Sequence, residues 1–216
     1  KQTARALMAE KGTAGLSLRA IARQMKMTAP ALYHYYGSLD DLITALIVDA
    51  FNGYADYVRA ARDKAAAAGH DANGQILQAA LAYRRWALEY RTDFQLIYGN
   101  PIPGYQAPEA VTEPAASSIG NVFMEVMVAG VQSGTMPIGV TYEDIPEHIA
   151  AHYHERYGLD ALSAPIFHLM MQAWSMMHGL VVLEVYNHLP PIVQDTATFY
   201  EHSIRRHFAA LGLHIE

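Results

Sequence analysis

Hydrophobic side chains recur along almost the entire chain at spacings of three and four residues, the pattern of helices with one buried face. Period-two alternation is scarce, and strand and helix signals do not alternate. Glycine, proline and asparagine clusters interrupt the pattern and mark the expected connections. The helices are predicted at residues 1–11, 18–25, 29–35, 39–68, 74–90, 92–98, 108–132, 142–157, 164–187 and 196–211. The predicted fold class is therefore all-α.

One stretch, residues 164–186, is apolar on every side and long enough to cross a bilayer. Its single formal charge is Glu184, and no Lys/Arg cluster flanks it. Its other polar side chains, which would be costly in lipid, are His168, Gln172, Ser175 and His178. The stretch is therefore predicted to be a helix buried on one side by its own domain and on the other by a partner chain, with no membrane involved.

Two short helices joined by a tight turn are predicted over residues 17–36. Ser17 is placed to cap the first helix, Thr28 is placed to cap the second, and Pro30 lies in the first turn of the second helix. The apolar face of the first helix consists of Leu18, Ile21, Ala22 and Met25. This arrangement is typical of a helix-turn-helix, whose second helix enters the major groove of DNA. An ordinary helical hairpin is the alternative.

The second helix is predicted to have an inner and an outer side. The inner side consists of Leu32, Tyr35 and Tyr36, and the outer side consists of Ala29, Pro30 and Tyr33, with His34 at its edge. The small residues of the outer side would allow close approach to base edges and phosphates. Gly37 is expected to be left-handed, and Ser38 with Asp41 three residues later is a capping-box signal for a long third helix.

The charge distribution separates residues 1–36, the head, from the remaining 180 residues, the body. The head holds six Lys/Arg and one acid, a net charge of +5, whereas the body holds nine Lys/Arg and twenty acids, a net charge of −11. A basic head on an acidic body indicates that the head alone meets a polyanion, although chance clustering is the alternative. The absence of cysteine excludes a disulfide framework, a thiolate metal site and a cysteine nucleophile.

The segment SLRAIARQMKMTAPALYHYYGSLDDLITAL resembles the DNA-binding domain of the tetracycline-repressor (TetR) family of bacterial regulators. The shared features are the capped helix SLRAIARQM, the turn into TAPALYHYY, the glycine, and the S-x-x-D-L start of the long helix. ARALMAEKGTAG resembles the first helix of that family, and because the sequence opens on Lys1, a turn or two of this helix is expected to be missing. The W-x-x-x-H-G pattern at Trp174, His178 and Gly179 resembles a C-terminal domain type, called WHG, found in part of the family.

The resemblance implies a helix-turn-helix DNA-binding domain over residues 1–45 and a helical ligand-binding and dimerisation domain over residues 46–216. It also implies a homodimer that binds the double-stranded DNA of a palindromic operator. The predicted DNA-binding residues are Ser17, Arg19, Thr28, Ala29, Pro30, Tyr33 and His34, while Tyr35 and Tyr36 fit inward positions. Leu39 stands where many family members have a phosphate-binding lysine. The recognition helix has no arginine, so bidentate reading of guanine is not expected, and Arg19 or Arg23 is expected to contact phosphate.

The body is predicted to bind a small, mainly apolar or aromatic effector and to dimerise through the last two long helices, with Ala173 facing the partner. The candidate ligand-binding residues are Trp86, Tyr90, Phe94, Tyr98, Phe123, Met127, His168, Met171, Trp174 and His178. Ordinary core packing is the alternative for each of them. The loop Asn100–Gln106 is expected to act as a lid, because proline and glycine keep it out of a helix.

Other chemistries have weaker support. His148 and His152 have a zinc-compatible spacing, but the H-E-x-x-H order is absent, so no metal or cofactor is predicted. No nucleophile-base pair, glycine-rich phosphate loop or paired-carboxylate motif indicates an enzyme. The first ten residues lack the apolar run of a signal peptide, and a cytoplasmic location is expected. The leading hypothesis is a ligand-released repressor, and the alternative is a small-molecule binding protein with weak or lost DNA binding.

Overall fold

The computed structural model describes residues 1–213, and over these residues the backbone forms eleven α-helices, two turns of 3-10 helix and no strand. The all-α prediction is confirmed. The helices are α1 (Gln2–Lys11), α2 (Leu18–Gln24), α3 (Ala29–Tyr33), α4 (Leu39–Ala67), α5 (Ala72–Glu89), α6 (Arg91–Tyr98), α7 (Glu109–Gln132), α8 (Glu147–Tyr157), α9 (Ser163–Val185), α10 (Pro190–Val193) and α11 (Thr196–Ala210). The 3-10 turns are Thr13–Gly15 and Tyr142–Asp144.

Two connections differ from the predicted helices. The helix expected over 142–157 is divided, because Ile145 precedes a proline and is extended (φ −87°, ψ 128°), which a helix cannot pass through. The preceding 3-10 turn is closed by Thr141 and Asp144, whose side chains bond reciprocally to each other's backbone. At the predicted break of two prolines, the short helix α10 forms instead, since proline is tolerated in a first helical turn.

The chain is divided into two compact units. The N-terminal unit comprises Lys1–Ala55 and Ala87–Ile119, and the C-terminal unit comprises Asp56–Trp86 and Gly120–Glu216. Helix α4 therefore contributes residues 39–55 to the first unit and 56–67 to the second.

The N-terminal unit has a core contributed by α1, α2, α3, α4 and α6, which we call the N-terminal core. Its buried residues are Ala4, Leu7, Met8, Leu16, Leu18, Ile21, Ala22, Leu32, Leu42, Ile43, Leu46, Ile47 and Leu96. Arg5 donates from Nε to Asp93 Oδ1 at 2.7 Å, which ties α1 to α6. The loop expected to be a lid packs Ile102 and Tyr105 against this core, and the Tyr105 hydroxyl lies 2.9 Å from Thr44 Oγ1.

The C-terminal unit is held together by polar ties between α5, α9 and α11. Arg84 donates from Nε and Nη2 to both carboxylate oxygens of Glu184, at 2.7 and 2.5 Å. Thr196 Oγ1 donates to the same carboxylate at 2.6 Å, and the Tyr200 hydroxyl donates to the Ala80 carbonyl at 3.0 Å. Both Arg84 and Glu184 are largely removed from solvent, so this network fixes the three helices to one another.

By length and composition alone, α7 and α9 are apolar enough to cross a bilayer, a test that core helices also pass. The polar side chains of α9 are bonded within the protein. Glu184 binds Arg84, and His178 Nδ1 lies 2.6 Å from the Tyr83 hydroxyl. Helix α9 thus contributes to the packing of the C-terminal unit, as the sequence predicts for one of its two sides.

Candidate DNA-binding surface and effector site

Helix α2 begins as the sequence predicts. Ser17 is extended (φ −151°, ψ 147°), and its Oγ accepts the Ala20 N–H at 3.1 Å. Leu18, Ile21 and Ala22 are buried and anchor α2 to the N-terminal core. Met25, predicted as the fourth residue of this face, is 42% exposed because the helix ends at Gln24 and Met25 is its C-cap.

The turn between α2 and α3 is a Schellman motif with a lysine in the left-handed position. Lys26 has φ 56°, its N–H bonds to the Arg23 carbonyl at 3.2 Å, and the Met27 N–H bonds to the Ala22 carbonyl at 2.9 Å. The prediction that Gly37 is left-handed is wrong, because Gly37 has no positive φ. Helix α3 ends at Tyr33, so Gly37 is too far along the chain to close it.

Helix α3 is short, and its two ends differ from the sequence prediction. Thr28 occupies the N-cap position, but its side chain makes no capping hydrogen bond, so the predicted cap is wrong. Tyr35, predicted to face inward, is 71% exposed and packs edge-on against His34 at 5.5 Å between ring centroids. The helical period fails at Tyr35 because α3 has already ended, whereas Leu32 is buried and Tyr36 packs against the N-terminal core as predicted.

The predicted DNA-binding residues lie at the surface of the N-terminal unit. Ala29 is half-buried, and the exposed members are Ser17, Arg19, Thr28, Pro30, Tyr33 and His34. Tyr33 is 48% exposed, so much of its ring is open to a ligand. Their assignment to DNA binding stays a prediction.

The six cations of the head fall into two groups that the sequence did not distinguish. Lys1 Nζ lies 2.9 Å from Asp49, Arg5 Nε lies 2.7 Å from Asp93, and Lys11 is 3.8 Å from Glu10. The other three cations are exposed and form no ion pair with any described residue: Arg19, Arg23 and Lys26. They lie on α2 and on the turn that follows it, beside an α3 that carries no formal charge. This surface can attract phosphate through α2 while α3 approaches the bases.

Leu39, which replaces the phosphate-binding lysine of many TetR regulators, is half-buried and packs against the N-terminal core. Its apolar side chain therefore helps to seat the first turn of α4. The acids after it, Asp40 and Asp41, are exposed. Ser38 caps the first turn of α4, because its Oγ accepts the Asp41 N–H at 3.1 Å.

Some of the candidate ligand-binding residues belong to the N-terminal unit and the others to the C-terminal unit. Tyr90, Phe94 and Tyr98 belong to the N-terminal unit, where Phe94 is buried and burial raises the pKa of the Tyr98 phenol well above its usual range. The C-terminal unit holds Trp86, Phe123, Met127, His168, Met171, Trp174 and His178. Three of these are buried, namely Trp86, Phe123 and Met127. Their role in ligand binding stays a prediction.

Trp174, His178 and Tyr83 form an aromatic trio in the C-terminal unit. The Trp174 and His178 rings stack at 5.0 Å between centroids, and the Tyr83 hydroxyl lies 2.6 Å from His178 Nδ1. Burial lowers the pKa of His178, which keeps the imidazole neutral at neutral pH. The sequence did not predict that Tyr83 lies beside His178, because the two residues are 95 positions apart. No local signal separates Tyr83 from an ordinary core tyrosine.

The other histidine among the candidate ligand-binding residues, His168, has two polar neighbours. Its Nδ1 lies 3.2 Å from the Tyr153 hydroxyl, and its Nε2 lies 3.0 Å from Gln172 Nε2. Neither of the two concavities described on the surface includes a candidate ligand-binding residue. A concavity of about 390 Å³ lies in the N-terminal unit, and a groove of about 450 Å³ lies between α9 and α11.

The zinc-compatible histidines of α8, His148 and His152, are both exposed. Within residues 1–213, no three side chains of the metal-binding types come together. The pair therefore gains no third ligand from the described residues.

The capped α2, the Schellman turn and the exposed α3 define a helix-turn-helix DNA-binding domain, followed by a helical C-terminal domain. Family models agree on both parts: "Bacterial regulatory proteins, tetR family" matches residues 2–46, and "Tetracyclin repressor-like, C-terminal domain" matches residues 76–207. The chain belongs to the TetR family of bacterial transcriptional regulators. The second match includes Trp174, His178 and Gly179, while their assignment to the WHG type stays a prediction.

Individual relatives extend over nearly the whole chain. The HTH-type transcriptional regulator Rv1816 of Mycobacterium tuberculosis is 32% identical over 210 residues, which cover 94% of this chain and 86% of that protein. The crystal structure of the regulatory protein SCO4313 is 33% identical, with a TM-score of 0.72 over 96% of this chain and 92% of its own. The TetR family regulator PfmR of Thermus thermophilus, 18% identical over 95% of this chain and 92% of its own with a TM-score of 0.58, shares the fold.

Proposed function

We propose that this regulator is a homodimeric repressor that binds a palindromic operator through α2 and α3 and is released by a small, mainly apolar effector. The observation that carries the proposal is the exposed, uncharged α3 beside three cations without an ion pair, Arg19, Arg23 and Lys26. Operator binding places its action in the cytoplasm, and no catalytic role is proposed.

The partner face is proposed on the outer sides of α9 and α11. It comprises Met176, Gly179, Leu180 and Leu183 of α9 with Phe199, His202 and Arg206 of α11, all exposed or half-buried, and the 450 Å³ groove runs through it. Ala173, expected to face the partner, is instead 6% exposed and faces the interior of its own unit. A face of two adjacent helices, apolar on α9 and bordered by basic side chains on α11, suits a self-complementary, two-fold interface.

Gly179 supports this assignment. It lies within α9, where glycine costs about 1 kcal/mol relative to alanine. A Cβ built on Gly179 would meet nothing within 4 Å, so no contact of its own chain requires the glycine. Close approach of a partner helix is a physical reason for a glycine at such a position.

The effector is proposed to bind beside the Trp174, His178 and Tyr83 trio. Stacked rings with one neutral imidazole suit a flat, apolar ligand that makes few hydrogen bonds. Arg84, the cation nearest in sequence to Tyr83, is already neutralised by Glu184, which disfavours a multiply anionic ligand. Release requires the effector to prefer the conformation that binds DNA poorly, because equal affinity for both conformations shifts nothing.

Operator binding is tested first. An operator is selected from random duplexes, and its affinity for Tyr33→Ala and Arg19→Ala is measured by fluorescence anisotropy over a salt series. Tyr33→Ala should cost about 1–3 kcal/mol without changing the salt slope, whereas Arg19→Ala should reduce the slope of log K against log salt by about 1 for each protomer. Failure to select any operator, or parent-like binding by both variants, would contradict the proposed surface.

Effector binding is tested with tryptophan fluorescence. Trp86→Phe leaves Trp174 as the only tryptophan, and a screen of uncharged aromatic compounds should find ligands that quench it. Each ligand found is titrated into the operator complex, where a coupling of about 1–3 kcal/mol would weaken DNA binding 5- to 150-fold. Ligands that bind tightly but leave the operator complex intact would remove the proposed link between the two sites.

A further inference from the structure

The outer side of α3 has few side chains that can form hydrogen bonds with base edges. Residues 28–36, TAPALYHYY, include no lysine, arginine, asparagine, glutamine, aspartate or glutamate. The surface instead offers the Ala29 methyl group, the Pro30 ring and the 48% exposed ring of Tyr33. The polar atoms of this segment's side chains are confined to hydroxyl groups and the His34 imidazole.

The chemistry of the major groove then limits what such a surface can read. Bidentate recognition of guanine uses arginine or lysine, that of adenine uses asparagine or glutamine, and cytosine is read by a carboxylate, whereas a hydroxyl group makes a single bond that does not distinguish the bases. The one apolar group that a base presents in the major groove is the C5 methyl group of thymine. Resting on the proposed operator binding, we infer that Ala29, Pro30 and Tyr33 select half-sites by contacting thymine methyl groups.

The structure also supplies the rigidity that such a contact requires. Leu32 is buried in the N-terminal core, which fixes the rotation of α3, and Pro30 fixes the backbone in the first turn. The cations are kept apart from this surface, on α2 and its turn. Phosphate attraction and base selection are therefore carried by different residues, and each can be removed without the other.

The test uses the operator selected above and replaces its half-site thymines with uracil, one symmetric pair at a time. Uracil keeps the base pair and both groove acceptors but lacks the methyl group. Because burying one methyl group contributes about 0.8 kcal/mol, each contacted thymine should lose about four-fold in affinity, and a symmetric pair about fifteen-fold. Thymines outside the half-sites serve as the matched control and should tolerate uracil.

Ala29→Gly and Tyr33→Ala identify the residue behind each methyl contact. At the thymine that a residue contacts, the parent should show the uracil penalty and the variant should not. The salt slope should remain unchanged, because no phosphate contact is removed. Thermal unfolding followed by circular dichroism confirms that each variant is folded.

Three outcomes overturn all or part of the inference, and they are distinguishable. If uracil is tolerated at every half-site position while the selected operator still binds tightly, methyl reading is wrong and operator binding stands. If the parent binds no duplex in preference to random DNA, the proposed function fails as well. A uracil penalty that persists unchanged in Ala29→Gly and Tyr33→Ala would also overturn the assignment to these side chains.

Discussion

Three cations of the N-terminal unit and one arginine of the C-terminal unit have opposite surroundings. In the N-terminal unit, Arg19, Arg23 and Lys26 are exposed and form no ion pair among the described residues. In the C-terminal unit, Arg84 is held beneath the surface by both oxygens of Glu184. An unpaired surface cation keeps its attraction for an external anion, whereas a buried pair is already neutralised. Cationic side chains are thus open to an external anion at one surface, whereas Arg84 serves helix packing in the other unit.

The largest expected effect comes from breaking the buried pair. Arg84→Met leaves the 7% exposed Glu184 side chain without its counter-ion, and we expect a loss of about 3–5 kcal/mol in the free energy of unfolding. Both tryptophans, Trp86 and Trp174, lie in the C-terminal unit, so urea unfolding followed by tryptophan fluorescence reports on this unit.

Two controls make this prediction specific. The double variant Arg84→Met/Glu184→Leu removes both charges and should recover most of the loss. Arg19→Ala removes an exposed arginine from the N-terminal unit and should change stability by no more than about 0.5 kcal/mol. If Arg84→Met costs as little as Arg19→Ala, the contrast between the two units is wrong.

The second prediction concerns two glycines of the C-terminal unit. A Cβ at Gly130 would lie 2.8 Å from Met136 Cβ and 3.1 Å from Ala72 Cβ, so Gly130→Ala should destabilise the protein by about 1–3 kcal/mol. Gly179→Ala has open space and should strengthen α9 by up to about 1 kcal/mol while weakening self-association. Urea unfolding and analytical ultracentrifugation separate the two effects. Unaltered self-association of Gly179→Ala would contradict the partner face.

The third prediction concerns the left-handed lysine of the N-terminal unit. Lys26→Gly relieves the strain at φ 56° and should raise stability by about 0.5–1 kcal/mol, while losing one cation of the proposed DNA-binding surface. Lys26→Ala removes the same charge but keeps the Cβ, so it should weaken operator binding similarly without the gain in stability. Circular dichroism and the salt dependence of binding provide both measurements. Equal stability of the two variants would show that the turn is unstrained.

The smallest expected effect is the pH dependence of the C-terminal unit. Burial lowers the pKa of His178, so around pH 6 the unfolded chain binds more protons than the folded chain. Stability from this residue is present at neutral pH and is lost as the pH falls from about 6.5, the usual histidine value, through the lower folded pKa. The thermal midpoint, followed by tryptophan fluorescence from pH 7.5 to 5.5, should fall less in His178→Gln than in the parent. Equal falls in both proteins would assign the acid sensitivity to other groups.

Local signals in the sequence predicted local structure well. The Ser17 cap, the position of Pro30 and the extent of α4 depend on residues within a turn of one another, and the structure confirms them. The left-handed residue is predicted at Gly37 but lies at Lys26, because Lys26 adopts a conformation that sequence patterns associate with glycine. Tyr35 was misplaced because its side depends on where α3 ends, which the short apolar pattern leaves open.

Contacts between residues far apart in the chain could not be predicted from the sequence. Arg5 and Asp93 are 88 positions apart, and Tyr83 and His178 are 95 positions apart, so no periodicity connects them. The orientation of α9 could not be predicted from the sequence either, because a helix that is apolar on every side does not show which residues face its own unit. Ala173 was assigned to the wrong side for this reason, and the structure identifies the stripe through Gly179 as the outer one.

The N-terminal unit is discontinuous along the chain, since Ala87–Ile119 completes a core that begins at residue 1. During synthesis, the surface that Leu96, Ile102 and Tyr105 cover therefore stays open until these residues have left the ribosome. The N-terminal unit cannot finish folding before residues 56–86 of the C-terminal unit have been made, and closing this long loop slows it further. A fragment ending after α4 would expose that apolar surface, so the smallest piece expected to fold with a complete N-terminal core extends to residue 119.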